Sequence, residues 1–256
     1  WAIIITIVVA MIRKQTRLSI KGIIHALEDG TRSAVGVAMA CAMVGIIVGV
    51  ASLTGFGLKM TSAILVLGQD TLILTLFFTM IASIILGMGL PSIPTYIITS
   101  SMAAPALVQF GIEPFVSHMF VFYFGILANL TPPVALAAFA GAGISGGDPN
   151  RTGFISLKLA AAGVLVPYIF VYSPELLMQG TNGWEIAWVA ITAAIGIIAL
   201  GAGLEGYFMG NMIWPLRIIS ILAAVTLVIP GSLTDIIGLG LLLLVVIAQF
   251  FAKKRE

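Results

Sequence analysis

The sequence predicts an all-α integral membrane protein: a polytopic helical bundle with a re-entrant hairpin and a broken transmembrane helix. Three observations carry this. Of 256 residues, 60% are hydrophobic and 9% charged, with a mean hydropathy of +1.17. A soluble domain carries about 25% charged residues, so this chain cannot cover a water-facing surface. The apolar residues come in unbroken runs, unlike the ~10-residue alternating segments of a barrel, and a bilayer admits only helices and closed barrels as spanning structures. Finally, helix breakers and hydroxyl or amide residues interrupt two apolar runs, at "GMGLPSIPT" (87–95) and "NLTPP" (129–133).

Taken in order, the chain opens "WAIIITIVVAMIRKQTR", about a dozen apolar residues followed by Arg13, Lys14 and Arg17, with Lys21 beyond. A span needs about 20 residues and a signal peptide carries its charges first, so this run reads as the tail of a helix that starts upstream. "SIKGIIHALEDGTR" is short and amphipathic and is expected to lie on the membrane surface. These two pieces make a first region, 1–31.

Residues 33–53 are long enough to span, and Gly45 and Gly49 give the small-xxx-small spacing that permits close helix contact. Cys41 within them reads as a small packing residue. "SLTGFG" ends that helix, and "LKMTSAILVLGQD" reads as a short amphipathic piece at the outer surface. Residues 71–112 carry no charge, and Glu113 is the only Asp, Glu, Lys or Arg between them and Asp148.

Later spans fall near 154–172, 186–204, 214–229 and 233–251. Arg151, Lys158, Arg217 and the terminal "KKRE" alternate with loops that lack basic residues, which puts the basic loops and the C-terminus in the cytoplasm. The net charge of +2 is thus a topology signal and gives no ground for a nucleic-acid partner.

Parity constrains the middle, a region 32–153 that precedes the C-terminal helices of 154–256. The helix 33–53 leaves the cytoplasm and the "GGDPNR" loop returns to it. Residues 115–146 are longer than one straight helix requires and break at "NLTPP", so they read as one crossing made of two half-helices. Residues 71–110 must then start and finish outside. Two full spans or a re-entrant hairpin both satisfy this; a cytoplasmic loop would be expected to carry Lys or Arg, and the uncharged tip favours the hairpin.

A broken backbone in hydrocarbon persists only where protein, water or ligand satisfies its polar groups. Secondary transporters use such breaks to bind ions and substrates. Gly87 and Gly89 allow close backbone approach, Pro91 and Pro94 fix the turn and restart the helix, and Ser92 and Thr95 supply hydroxyls. Asn129 and Thr131 play the same part at the second break, with Pro132 and Pro133 forcing the restart. The plainer alternative is a pair of kinks filled by neighbouring helices.

"GMGLPSIPTYIITSSMAAPAL", "HMFVFYFGILANLTPPVALAAFAGAGISGGDPNRTG" and "LVPYIFVYSPELL" resemble the large permease component of tripartite ATP-independent periplasmic (TRAP) transporters, specifically the fused permeases of the TAXI type. The resemblance covers most of 34–177 and extends to "WPLRIISILAAVTLVIPGSLTDIIGLGLLLLV". It implies an elevator-type carrier of two inverted repeats in the bacterial or archaeal inner membrane. Such a carrier imports a small organic acid by symport with Na⁺ or H⁺ and is fed by a periplasmic solute-binding protein.

On that resemblance the chain holds the C-terminal part with the second repeat, and the first repeat and small-permease region would precede it. The hairpin tip, Gly87 to Thr95, and the break from Asn129 to Pro133 would form half of a cation and substrate site, with Ser52, Thr54 and Gly55 as weaker candidates. No cofactor is implied beyond Na⁺ as coupling ion.

Proton coupling would need a titratable group, and Glu113 and His118 are the candidates for a relay in the central region. "GAGISG" satisfies the GxGxxG pattern, but it follows a membrane segment and no strand, so nucleotide binding is not expected. The sequence carries no His/Cys cluster, so a metalloenzyme is not expected either. An ion-coupled carrier that works without a binding protein is the alternative, and a structural membrane subunit a more distant one.

Overall fold

The computed structural model describes residues 1–12, 19–179, 182–229 and 231–253. The basic residues Arg13, Lys14, Arg17, Lys254 and Arg255, on which part of the topology reading rests, lie outside them. Among the described residues the secondary structure is helical, apart from one isolated bridge between Tyr207 and Asn211. Four helices are long and apolar enough to cross a bilayer.

After α1 (Ala2–Ile12), the helix α2 runs unbroken from Ile20 to Leu53. By composition this stretch divides into a surface helix and a span. The structure joins them because nothing at the junction breaks the helix. Thr31 Oγ1 donates back to Leu27 O at 2.8 Å, and Arg32 bridges to Glu28 across one turn at 2.8 Å, the i,i+4 spacing that supports a helix.

Gly55, with φ of +67°, turns the chain into α3 (Phe56–Gly68). The charge-free segment forms α4 (Leu72–Gly87), a turn at 88–91, then α5 (Ser92–Met102) and α6 (Ala104–Gln109). The interruption between α5 and α6 is a feature the sequence reading does not include. Pro105 causes it: proline has no N–H for the Ser101 carbonyl and crowds it sterically.

Next, α7 (Pro114–Leu127) passes through a 3-10 turn, Ala128–Leu130, and an irregular stretch before α8 (Leu136–Ser145). The break predicted at "NLTPP" is therefore present in the backbone. Ala135, fully buried, closes it in the left-handed region with φ of +37°, a conformation costly for a residue with a Cβ.

The rest is a helical module. Asp148 caps α9 (Pro149–Ala160), accepting from Arg151 N at 2.7 Å, and α9 leads through a 3-10 turn, Ala161–Val164, into α10 (Leu165–Tyr172). Then come α11 (Gly183–Glu205), α12 (Trp214–Val228) and α13 (Ser232–Lys253). A seam of small residues lets α11 and α12 approach closely. The Ser220 hydroxyl donates to Ala199 O at 2.7 Å, and a Cβ on Gly203 would lie 3.0 Å from Arg217 O.

Arg217 closes α11 from the neighbouring helix. Its Nε and Nη2 donate to Gly203 O and Leu204 O at 2.9 and 2.7 Å, and its guanidinium lies 4.6 Å from the centre of the Trp214 ring. A cation at a helix C-terminus complements the helix dipole. Lys158 reaches Glu205 at 2.8 Å, so Lys158 and Arg217 both sit at the C-terminal end of α11.

Candidate functional site

The site is built on hydroxyl residues that recur every helical turn. Thr75, Thr79, Ser83 and Gly87 line one buried face of α4, Thr95 and Thr99 one face of α5, and Ser117 and Gly125 one face of α7. Most of these hydroxyls satisfy themselves on their own helix: Thr75 Oγ1 donates to Thr71 O, Ser83 Oγ to Thr79 O, Thr99 Oγ1 to Thr95 O, and Ser117 Oγ to Glu113 O. Their small size lets the three helices meet at van der Waals distance. Thr79 Oγ1 is buried and without a partner among the described residues.

The hairpin tip docks beside the α7 break. A Cβ on Gly87 would run into the backbone of Gly125, and one on Gly125 would lie 2.6 Å from Thr95 Cγ2. A Cβ on Gly89, whose φ is +78°, would lie 3.7 Å from Val134 Cγ1, inside the irregular stretch. At Gly87 and Gly125 only glycine permits the approach, at Gly89 the positive φ favours it, and together they put the turn at 88–91 against the end of α7. Thr95 is fully buried there and donates to Leu90 O at 3.2 Å, across the turn.

Not every expected residue joins this junction. Pro91 and Ser92 are exposed at the tip, and Pro94 is buried in α5. Thr131 Oγ1 donates to Leu127 O at 3.0 Å, closing the last turn of α7, and the half-buried Pro132 and the exposed Pro133 follow it. Asn129 lines a largely apolar cavity of about 830 Å³ with Phe122, Tyr123, Ile126 and Phe170. No hydrogen bond joins its side chain to the hairpin tip among the described residues.

The "SLTG" break belongs to a different junction. Ser52 and Gly55 line a cavity of about 250 Å³ with Thr61, Ser101 and Pro105, so this break meets the α5–α6 interruption and not the hairpin tip. Thr54 Oγ1 donates to Val50 O at 2.9 Å and finishes α2.

Glu113 caps α7, accepting from Val116 N at 3.0 Å, and is exposed. His118 Nδ1 lies 2.9 Å from Tyr96 Oη, tying α7 to the second arm of the hairpin. The structure brings Glu113 and His118 together neither with each other nor with the tip.

Gly125, Thr79, Ser83 and Thr99 were missed by sequence reasoning. The signal was there, since Thr75, Thr79, Ser83 and Gly87 recur at i+4, but it becomes legible only once 72–87 is known to be a single helix.

A membrane bundle in which a sharp interhelical turn packs against a broken helix, inside a segment whose only charged residue is the exposed Glu113, is the architecture of a secondary transporter. The chain belongs to the tripartite ATP-independent periplasmic transporter family: the model of its DctM component, the large permease, matches residues 1–184. No curated protein and no solved structure matches the chain. The chain is therefore a multi-pass permease component. Helices α11 to α13, apart from Gly183 and Trp184, lie beyond the matched residues.

Proposed function

We propose that this chain supplies half of the coupling-ion and substrate site of a TAXI-type permease in the bacterial or archaeal cytoplasmic membrane. In this reading it imports a small organic acid delivered by a periplasmic solute-binding protein, together with a small-permease region and a first repeat. The contact of the hairpin turn with the α7 break, Gly87 on Gly125 and Gly89 beside Val134, carries the reading.

Helix length supports a re-entrant hairpin. At 1.5 Å per residue, the 16 residues of α4 extend about 24 Å, short of the roughly 30 Å hydrocarbon core. The donors near the two breaks are hydroxyl, amide and carbonyl oxygens, the set with which unwound transporter helices hold Na⁺. This favours Na⁺ over H⁺.

In the complete permease reconstituted with its binding protein, Asn129→Ala and Thr131→Ala are expected to raise the Na⁺ concentration for half-maximal uptake. Unchanged Na⁺ dependence at normal expression removes them from the site, and uptake that ignores the binding protein overturns the TRAP mechanism. A cysteine introduced as Ser92→Cys is expected to react with small thiol reagents and resist a bulky cytoplasmic one. Free labelling by the bulky reagent would mean two full spans.

A further inference from the structure

The end of the α10–α13 module opposite Arg217 and Lys158 holds a second polar cavity, in a part of the chain the transport reading does not use. It measures about 560 Å³ and opens between α10, α11, α12 and the start of α13. Asp235, only 8% exposed, lines it and accepts a hydrogen bond from Trp188 Nε1 at 3.1 Å. Glu185 and Ser173 line both this cavity and an adjoining one that also reaches Glu175 and Trp184.

The electrostatics at this end are one-sided. From Leu159 to Leu216, and again from Ile218 to Ala252, the sequence has no Lys or Arg. Two carboxylates, Asp235 and Glu185, thus line the cavity, with Glu175 in the adjoining one, and no basic side chain from these helices neutralises them. Ser173 adds a separate indication. It is only 3% exposed, it lines the cavity, and its hydroxyl has no partner among the described residues. The hydroxyl is open to the cavity and available to a ligand there.

The chemistry selects the occupant. Among the described residues no group of three His, Cys, Asp or Glu could hold a metal ion, and the void is far larger than a bare cation. Carboxylates, a hydroxyl and an indole together suit an ammonium group, which offers three donors and attraction to an aromatic face. Trp184 and Trp188 are 79% and 45% exposed, as in the aromatic belts at membrane–water interfaces. The cavity therefore lies at headgroup level. Beside it, the amides of Gly183 and Trp184, at the N-terminus of the 23-residue α11, have no partner among the described residues and are free to donate to a phosphate.

We propose that this cavity binds a primary ammonium group, held by Asp235, Glu185 and Ser173. Phosphatidylethanolamine fits it best, because its zwitterionic headgroup matches the carboxylates on one side and the α11 amides on the other. A soluble amine shares the ammonium chemistry.

The test uses the complete, delipidated permease and native mass spectrometry with equal amounts of phosphatidylethanolamine and phosphatidylglycerol. The wild type is expected to retain phosphatidylethanolamine preferentially. Asp235→Asn, which keeps an acceptor for Trp188, and Glu185→Gln are each expected to lose that preference with an unchanged thermal midpoint in lipid-free detergent. Ethanolammonium chloride is the second arm: competition, with a raised midpoint in the wild type alone, assigns the site to soluble amines. No lipid preference and no response to ethanolammonium, or a preference that both variants keep, overturns the proposal.

Discussion

Alanine in place of Gly125 lowers the thermal stability of the complete permease and arrests its uptake, and serine in place of Thr95 restores much of both. That is the expected result if the hairpin tip docks on α7 through glycine. The new Cβ would sit 2.6 Å from Thr95 Cγ2 and 3.2 Å from Thr99 Cγ2. Forcing a methyl group into a packed interior costs about 1–3 kcal/mol.

Thr95→Ser deletes the nearer methyl and keeps the hydroxyl that reaches Leu90 O. Gly87→Ala is expected to be more severe and beyond such rescue, because its Cβ meets the Gly125 backbone. Thermal unfolding of the four members of the Gly125/Thr95 cycle measures the coupling. Independent, additive effects would mean that the two residues do not touch.

Arg217→Ala is expected to destabilise the C-terminal module by about 3 kcal/mol. Hydrogen bonds to charged groups contribute about 1.5–3 kcal/mol each, and this side chain makes two to the last carbonyls of α11 while stacking on Trp214. Partial access of water at that helix end holds the total near the value of one such bond. Arg217→Lys should recover only a fraction, since an ammonium cannot reproduce the forked geometry. Unfolding monitored by tryptophan fluorescence tests this, and equal midpoints for Lys and Arg would show that charge alone suffices.

The membrane class, three of the four later spans and the two backbone breaks were legible because they depend on composition and on proline and glycine, whose effects are local; the helix expected to span at 214–229 is only 15 residues long. What was not legible depends on neighbours. The continuity of α2 follows from the absence of a helix breaker where composition changes from polar to apolar at about residue 33, with the exposed Glu28–Arg32 pair adding a little. The α5–α6 interruption follows from Pro105 alone and was available in the sequence, but it was hidden behind the more conspicuous Pro91 and Pro94.

At the site, the sequence pointed to the tip and the break but not to the surface on which they meet. Gly125 lies in an unremarkable run, "FYFGIL", and only its contact with Gly87 gives it meaning. Asn129 and Thr131 are two residues apart, yet one lines an apolar cavity while the other closes a helix turn, a divergence that spacing could not foretell.

The unbroken α2 has a mechanical consequence. Its 34 residues extend about 51 Å, more than the 40–45 Å of a bilayer with its headgroups. Glu28, Asp29 and Arg32 occupy the polar end of that length. A rod of this kind has no internal joint, so displacement at its charged end is delivered whole to its other end. There the chain turns at Gly55 into α3, which packs against both arms of the hairpin. The first place the structure can flex is thus the stretch 52–55, and the leverage is applied one helix away from the tip.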